Sequence, residues 1–413
     1  MTATMPDLLA DLKDLYEDLH AHPELSFQEH RTAGIVADRL QALGYDVTRG
    51  VGRTGVVATL ANGDGPTVLL RADIDALPVA EDTGLPYAST ARATDHTGKD
   101  VPVAHACGHD MHAAWLVGAA TVLRDTRAEW AGTLLLVVQP AEELGSGADA
   151  MLEDGLYERF GHPDVVLGQH AAPAPAGWLL TKGGPVMAAS DSLDIVLHGR
   201  GGHGSTPQST VDPAVLAAST VMRLQTIVSR EIDPAQTAVL TVGRMHVGSK
   251  ENIIGDDAEL GISIRTFDAQ VRARVLAAVQ RIVEGECHAA GTSAPPDVHH
   301  TFGTPVVEND PGAAERLTQA FVDHFGADRC MPSPMTTASE DFGRFATAAG
   351  CPSMFWFVGT TDADLVLTAL AAGRFEEDVP FNHSPRFAPV QDPSIQTGVE
   401  AMVTAARAWL APT

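Results

Sequence analysis

The chain has 413 residues, 45% of them apolar, and a formal net charge of −26. Its length is about two to three times that of a typical single domain, so two domains are expected. The acidic balance argues against nucleic acid and anionic membranes as partners, because both are bound through basic patches. A small anionic substrate remains compatible with this charge, since one or two local cations can hold it.

The N-terminal segment is acidic and amphipathic, and it lacks the basic and apolar regions of a signal peptide. The longest charge-free apolar stretch, residues 113–123, is too short to span a bilayer. The cysteines are scattered without a CxxC pair, which favours a reducing, cytoplasmic setting. We expect Cys287, Cys330 and Cys351 to be small core residues.

The first part of the chain alternates helical and strand patterns. Helices are predicted at residues 8–19, 30–43 and 111–123. Compact apolar runs predict strands at residues 55–60, 67–70, 133–138 and 165–167. This alternation indicates an α/β domain with a mostly parallel sheet.

A second block begins near residue 188 and has a different order of elements. Its predicted elements are a strand at 192–197, a helix from Asp212-Pro213 to about 230, strands at 237–242 and 258–267, a helix at 269–290 and a strand at 296–302. The order β-α-β-β-α-β is that of a ferredoxin-like module. We therefore predict a module inserted at 188–303 into a first domain formed by 1–187 and 304–413.

Acids and a histidine follow three predicted strands. Asp73 and Asp75 follow the first, Glu142 and Glu143 the second, and His170 the third. Each alone could be an ordinary polar residue of a surface loop. Because sites in open parallel sheets lie at the carboxyl ends of the strands, their shared position indicates one site.

The segment HACGHDMH, residues 105–112, is rich in metal-ligating side chains. Cys107 and His109 supply the sulfur and nitrogen donors that zinc-type ions bind, and the glycine between them permits a tight chelate. The alternative is a buried cysteine among hydrogen-bonded histidines. Together with the strand-end acids, the segment favours a metal site.

Glu142 and Glu143 end a buried strand as QPAEE. Adjacent side chains of an extended chain point in different directions, so one carboxylate can bind a metal while the other acts as a base. A hydrolytic site needs this division between a metal that activates water and a carboxylate that shuttles the proton. The alternative is a solvated acidic pair that opens the next helix.

His203 lies in the segment HGRGGHG, which formally matches the GxGxxG pattern of dinucleotide-binding proteins. That reading, a nucleotide-dependent oxidoreductase, requires a helix to open at once, yet Pro207 and Pro213 interrupt the segment. A histidine that reaches into a site from a glycine-flanked loop is the better interpretation.

Three further candidates come later in the chain. Arg265, near the end of a predicted strand, is suited to hold a carboxylate through paired hydrogen bonds, and Asn252 precedes the same strand. His383 lies in a proline-bounded loop, FNHSP. On residue type alone, each could equally be an ordinary surface residue.

Taken together, these segments resemble the M20 metallopeptidase family, in particular its aminoacylase and amidohydrolase branch of hippurate hydrolases, auxin-conjugate hydrolases and bacterial N-acyl-amino-acid deacylases. The matching stretches occur in the family's order and cover nearly the whole chain. They are DLHAHPELSFQEHRTA, LLRADIDALPVAEDTG, HACGHDMH, QPAEELGSGA, GQH, GGHGSTPQSTVDP, NIIGDDAELGISIRTF, SEDFG and FNHSPRF.

The resemblance implies a hydrolase of N-acyl amino acids with two divalent metal ions, zinc being favoured and manganese, cobalt or nickel compatible. It also implies that the domain of residues 1–187 and 304–413 is catalytic and that the module at 188–303 is a lid or dimerisation domain. It implies five metal ligands, which are Cys107, His109, Glu143, His170 and His383. Glu142 would be the general base, and Asp75 would support a ligand. His203 would stabilise the oxyanion, reaching the partner subunit's site in a homodimer, and Asn252 with Arg265 would hold the substrate carboxylate.

The chain departs from the branch's usual pattern at three places. Gln208 replaces a frequent second histidine, Gly255 stands where proline is common, and the stretch Thr361–Val379 is longer than usual, shaping either an acyl pocket or only a surface loop. The HGS motif and LQTIVSREIDP most resemble the actinobacterial N-acylglutamine aminoacylase type. A dipeptidase or small-peptide carboxypeptidase of the same fold and a non-catalytic metal- or ligand-binding relative are the alternatives.

Overall fold

The computed structural model describes residues 4–412. The chain forms two compact units. The first unit comprises the residues up to Val186, Glu308–Pro334 and the residues from Asp341 onward. The second unit comprises Met187–Val307 and Met335–Glu340.

Helices and strands alternate along much of residues 4–412. The helices are α1 (Met5–Ala21), α2 (His30–Ala42), α3 (His109–Asp125), α4 (Gly147–Glu153), α5 (Leu156–Phe160), α6 (Pro213–Thr226), α7 (Ala269–Ala290), α8 (Pro311–Phe325), α9 (Gly343–Ala349), α10 (Ala363–Ala372), α11 (Phe375–Asp378) and α12 (Ser394–Trp409). The strands are β1 (Asp46–Val51), β2 (Gly55–Asn62), β3 (Thr67–Asp73), β4 (Arg92–Thr94), β5 (Asp100–Pro102), β6 (Trp130–Gln139), β7 (Val165–Pro175), β8 (Leu179–Thr181), β9 (Gly184–Met187), β10 (Ala189–His198), β11 (Gly202–His203), β12 (Ala238–Val247), β13 (Ile253–Ile254), β14 (Asp257–Thr266), β15 (Asp297–Thr304), β16 (Val307–Asn309), β17 (Cys330–Pro332), β18 (Ser353–Thr361) and β19 (Ala411–Pro412).

The first unit is built on a large sheet with the strand order β1-β2-β6-β3-β7-β18-β8-β17, and β19 pairs with β6. The four central strands, β6, β3, β7 and β18, are mutually parallel. Their residues are almost all buried, as expected for parallel strands covered on both faces. The predicted α/β fold with a mostly parallel sheet is confirmed, and the carboxyl ends of the central strands lie at one edge.

Helix α3 is buried on nearly every face and forms the centre of the first unit's core. It packs closely on α12, where a Cβ added to Gly398 would lie 2.2 Å from the indole of Trp115. The indole nitrogen of Trp115 donates a hydrogen bond to the Ser394 carbonyl at 2.9 Å. Because α3 begins directly after the cysteine loop, this packing fixes the base of the candidate metal site.

The second unit has an antiparallel sheet with the order β12-β14-β10-β15. Helices α6 and α7 bury their apolar faces against it. Asp212 caps α6 by accepting a hydrogen bond from the Ala214 N–H, and Pro213 occupies the first turn, as predicted. The predicted β-α-β-β-α-β arrangement is confirmed.

Four details differ from the sequence-based predictions. The α-helix that begins at Pro213 ends at Thr226, and a π-helical turn, Ile227–Glu231, completes the predicted length. Met335–Glu340 belongs to the second unit, because the Ala188 N–H donates to the carbonyls of Thr336 and Ala338 at 3.1 and 3.0 Å. Cys287 is buried, but Cys330 and Cys351 are only half-buried, since each lies at an end of a surface element. The long stretch before His383 folds as α10 and α11.

No helix within residues 4–412 combines the length and the apolarity that crossing a bilayer requires.

Candidate metal centre

Three neighbouring parallel strands bring their polar residues to one edge of the sheet. Strand β3 ends at Asp73, which lies opposite Gln139, the last residue of β6. His170 lies on β7, the other neighbour of β3. The predicted convergence of acids and histidine at this edge is confirmed.

The five predicted metal ligands lie together at this edge. Cys107 Sγ is 3.6 Å from His170 Nε2. Glu143 Oε1 is 3.9 Å from His109 Nε2 and 3.4 Å from His383 Nε2. The candidate ligand atoms of Cys107, His109 and Glu143 all lie within 4.8 Å of one another. We call these five residues the ligand cluster.

Two atoms of the ligand cluster are buried without a hydrogen-bond partner among residues 4–412. They are His109 Nε2 and Glu143 Oε1. Leaving a buried polar atom unpaired costs roughly 1–3 kcal/mol, so native proteins rarely do so without a reason. The cluster combines a thiol, imidazoles and a carboxylate, which are the groups that bind zinc-type cations. Its residues therefore fit a metal site.

Asp75 orients the imidazole of His109. His109 Nδ1 donates to the Asp75 carbonyl at 2.9 Å and lies 3.3 Å from Asp75 Oδ1. With the proton on Nδ1, the lone pair of Nε2 faces the ligand cluster. Asp75 Oδ2 in turn accepts hydrogen bonds from the Ser26 hydroxyl at 2.6 Å and the Glu143 N–H at 3.0 Å.

The pKa values of two cluster members are shifted in opposite directions. Burial, followed by the charge of His112, lowers the pKa of His170 well below its usual range, so its imidazole is neutral and able to ligate. Burial, with the charge of Glu143, raises the pKa of the Cys107 thiol. Cys107 therefore needs a nearby cation to be a thiolate at neutral pH.

The loops that carry these ligands have special backbone geometry. Gly108 has φ +86°, and a Cβ there would lie 3.0 Å from the Ala171 Cβ, so only glycine suits the turn between Cys107 and His109. The His383 N–H donates to the Ala106 carbonyl at 2.7 Å. The neighbouring Asn382 amide donates to the carbonyls of Cys107 and Ala171, both at 3.1 Å.

Asp73, one of the strand-end acids of the sequence analysis, pairs with His112, a contact that the sequence did not predict. The Ala171 N–H donates to His112 Nε2 at 2.8 Å, so the His112 proton lies on Nδ1 and is donated to Asp73 Oδ1 at 2.5 Å. Both His112 nitrogens are therefore occupied, and His112 fixes the backbone next to His170. The sequence carried one signal of this role, because His112 lies three residues after His109 and so on the same face of a helix.

Arg71 lies buried beneath Asp73 and neutralises part of the acidic charge. Its guanidinium donates to Asp73 Oδ2 at 2.8 Å and to Gln139 Oε1 at 2.7 Å. The Gln139 amide donates to Asp341 Oδ1 at 2.6 Å. Although burial alone would raise the pKa of Asp73, Arg71 and the nearby histidines outweigh it and hold that pKa well below its usual range. Both Asp73 oxygens are thus engaged by protein donors, which argues against Asp73 as a metal ligand.

The two glutamates occupy different surroundings. Glu143 joins the ligand cluster, whereas a carboxylate oxygen of Glu142 lies within 4.8 Å of one of Asp73. Glu142 is 9% exposed. The separation predicted for adjacent carboxylates is present, with the turn at Ala141, which has φ +48°, lying directly before them.

The remaining predicted residues lie in the second unit. His203 is exposed on β11, which pairs with β13, and the Gly204 N–H donates to the Asn252 carbonyl at 2.9 Å, so His203 and Asn252 are neighbours. Arg265 lies on β14, and its Nη1 is buried without a hydrogen-bond partner in the described part of the chain. The glycine-rich segment at His203 contains the short strand β11, a 3-10 turn follows at Pro207–Ser209, and the next α-helix begins only at Pro213, which agrees with rejecting a dinucleotide site.

A parallel sheet that carries a thiol, imidazoles and paired glutamates at its carboxyl edge defines the class of metal-dependent hydrolases. Residues 69–380 match the family model described as peptidase family M20/M25/M40. The chain belongs to this family, and it is a hydrolase that acts on amide bonds.

Individual relatives agree with this assignment. The chain is 38% identical to the hippurate hydrolase of Campylobacter jejuni over 84% of this chain and 88% of that protein. It is 36% identical to thermostable carboxypeptidase 2 of Saccharolobus solfataricus, over 83% and 84% of the respective chains. The crystal structure of Bacillus subtilis YXEP, a dinuclear metal-binding M20 peptidase, is similar with a TM-score of 0.76, 29% identity and coverage of 97% and 98%.

Proposed function

We propose that this protein removes the acyl group from N-acylated amino acids by hydrolysing their amide bond. The observation that carries the proposal is the ligand cluster, two of whose atoms are buried without a hydrogen-bond partner among the described residues. A carboxylate oxygen of Glu142 lies within 4.8 Å of one of Asp73, at the same edge of the sheet. The similarity to a hippurate hydrolase supports the substrate class, since that relative is named for an N-acylated amino acid.

In this proposal Cys107, His109, Glu143, His170 and His383 hold two divalent ions, with zinc favoured by the thiol and imidazole donors. Bound metal would polarise the scissile carbonyl and lower the pKa of water. Glu142 takes a proton from the attacking water and returns it to the leaving nitrogen, so that one water is consumed and a carboxylic acid and an amine are released. Asp75 keeps His109 in its ligating tautomer.

The second unit supplies groups that handle the substrate. His203 stabilises the oxyanion of the tetrahedral intermediate, and Asn252 with Arg265 holds the carboxylate of the amino acid. Among the residues described, Arg265 Nη1 is buried and has no hydrogen-bond partner, which supports a substrate carboxylate as its partner. The resemblance of the HGS segment favours N-acylglutamine or a similar side chain.

The chain is proposed to act as a homodimer in which His203 serves the partner subunit's site. Mixing His203→Ala with Glu142→Gln subunits, each inactive by itself, tests this directly. Reassembled heterodimers should regain activity, because one of the two sites then has both residues. If the mixture stays as inactive as its components although the subunits have exchanged, His203 does not act across subunits.

The function is tested by measuring amine release from a panel of N-acetyl, N-benzoyl and longer N-acyl amino acids. Metal-loaded protein should release the amino acid, and protein stripped with EDTA should not. The ranking within the panel would identify the acyl group and side chain. If metal-loaded protein releases nothing from any member, the proposed substrate class is wrong.

A peptidase acting on small peptides is the second candidate, favoured by the similarity to a carboxypeptidase. An N-acyl amino acid and a dipeptide that share the same C-terminal residue separate the two candidates. A deacylase prefers the acylated compound, whereas a dipeptidase must accept a free α-amine. Faster cleavage of the dipeptide would favour the second candidate.

A further inference from the structure

Glu29 is a buried carboxylate that has no part in the proposed reaction. It is fully buried and directly precedes α2, but its side chain makes no capping bond to that helix. Its Oε1 accepts hydrogen bonds from the N–H groups of Phe27 and Ala141, both at 2.8 Å, and its Oε2 accepts one from the Thr54 hydroxyl at 2.5 Å. Burial, with the charge of Asp75, raises the pKa of Glu29 to about 7, although these hydrogen bonds oppose the rise.

Two of the three residues that donate hydrogen bonds to Glu29 have positive φ, and the residue before the third also does. Phe27 has φ +60° and Ala141 has φ +48°, and Arg53, with φ +81°, directly precedes Thr54. Within residues 4–412, His383 is the other non-glycine residue with positive φ. The left-handed conformation costs a non-glycine residue roughly 1–2 kcal/mol, so a compensating interaction is expected at each of these positions. Glu29 supplies it for Phe27 and Ala141 directly.

Ala141 is the residue that sets the direction of the two glutamates. Its carbonyl accepts the N–H groups of Ser146 at 3.3 Å and Gly147 at 3.1 Å, which closes the turn. The N–H of Ala141 is bound by Glu29, and the N–H of Glu143 is bound by Asp75. The backbone on each side of Glu142 is therefore held by a separate buried carboxylate.

We propose that Glu29 is a positioning residue for Glu142 and Glu143, acting by holding Ala141 in the left-handed conformation. This inference rests on the proposed function of those two glutamates. Without the Glu29 carboxylate, Ala141 relaxes toward negative φ, and the peptide that follows it rotates. A displacement of about 1 Å at a catalytic group can cost on the order of 100-fold in rate.

The test compares three variants by kcat, KM and metal affinity. Glu29→Ala removes the acceptor and should lower kcat by about 10- to 100-fold while KM changes by less than about twofold. It should also weaken zinc binding by about tenfold, measured by chelator competition, because Glu143 is displaced. Glu29→Gln keeps an oxygen that accepts from Phe27 and Ala141, so it should restore kcat to within a few-fold of the wild-type value.

Thr54→Val is the matched control. It removes the third hydrogen bond of Glu29 and destabilises the same buried region, but it leaves the bond to Ala141 intact. Its kcat should remain within about threefold of wild type. If Thr54→Val loses as much kcat as Glu29→Ala at equal folded fraction, Glu29 has only a structural role and the inference is wrong.

A double substitution tests the conformational cause. Glycine adopts positive φ without strain, so Ala141→Gly should reduce the need for Glu29. The effect of Glu29→Ala on kcat should shrink to a few-fold in the Ala141→Gly background, and strictly additive effects would overturn the inference.

If Glu29→Ala does not fold, Glu29→Asp replaces it in the test. The shorter side chain withdraws the carboxylate from Ala141, so kcat should fall. An unchanged kcat in Glu29→Asp would contradict the proposal.

Failure of this inference is distinguishable from failure of the proposed function. A wild-type protein that hydrolyses no amide would contradict the function itself. A wild-type protein that is active, with Glu29→Ala equal to it in kcat and zinc affinity, would contradict only the positioning role.

Discussion

The candidate residues of the two units differ in how they are held. In the first unit, His109 and Glu143 are almost enclosed, and each is oriented by Asp75. In the second unit, His203 and Asn252 are exposed and have few contacts besides their own turn. The buried side chains of the first unit are held in place, and their unpaired atoms need a cation as partner. The exposed side chains of the second unit can contact a substrate whether or not the metal content changes. Substitutions in the first unit should therefore separate metal binding from turnover, and those in the second should change turnover or substrate binding without changing metal content.

The largest effect is expected within the first unit, from Glu142→Gln. Removing a general base costs about 10²- to 10⁴-fold, so kcat should fall by about 10³-fold. Because Glu142 is not a member of the ligand cluster, metal content by mass spectrometry should remain near the wild-type value. His109→Ala is the contrasting variant, which should lose both metal and activity. Wild-type kcat in Glu142→Gln would contradict the assigned role.

A smaller effect is expected from His203→Ala in the second unit. Loss of one oxyanion donor costs about 10²- to 10³-fold in kcat. Because His203 is exposed and its ring bonds to its neighbour Ser205, thermal stability and metal content should not change. A loss of bound metal in His203→Ala would break the distinction between the two units.

Arg265→Lys should have a more modest effect, seen in KM. Lysine retains the charge but cannot form the paired hydrogen bonds that a guanidinium makes with a carboxylate. We expect KM for an N-acyl amino acid to rise about tenfold with little change in kcat. An N-acyl amine that lacks the carboxylate is the control substrate, and its cleavage should be equally slow with both proteins. Equal KM values for the acidic substrate would argue against Arg265 as its binding group.

The last prediction concerns stability and not turnover, and it involves Asp110, which directly follows His109 of the ligand cluster. His20 lies between Asp110 at 2.6 Å and Glu81 at 3.0 Å. Burial alone would lower the pKa of His20, but these carboxylates outweigh it and raise the pKa to about 10 from an ordinary 6.5. Between these two pKa values the native state keeps the His20 proton and the unfolded state does not. The stabilisation that comes from protonated His20 is therefore complete below pH 6.5 and is lost as pH rises toward 10.

The measurement is the free energy of unfolding by denaturant between pH 6 and pH 10. Within that window the slope from His20 approaches about 1.4 kcal/mol per pH unit. The difference in unfolding free energy between the wild type and His20→Gln should shrink as pH rises. A difference that is independent of pH would show that His20 is not a buried cation.

The sequence predicted most helices and strands, and it predicted which acid, thiol and imidazole side chains meet at one edge of the sheet, because both leave local signals. Helix α7 begins at Ala269 and ends at Ala290, as predicted, because Asp268 caps its start and Gly291 terminates it. Cys107 and His109 could be proposed as ligands because a thiol and an imidazole one residue apart occur together with acids and a histidine near the ends of three predicted strands. The roles of Glu29 and Arg71 could not be predicted, since each depends on contacts with residues more than 60 positions away. The grouping of Met335–Glu340 with the second unit could not be predicted either, since it depends on the distant contact of this segment with Ala188.

The most direct test is a titration of metal-stripped protein with zinc, following bound metal and amine release from an N-acyl amino acid in the same samples. We predict that binding saturates at two ions per chain and that activity rises with occupancy. The ligand cluster and Glu142 would then be parts of one hydrolytic site. Full activity in the stripped protein, or saturation with zinc without any amine release, would contradict this account.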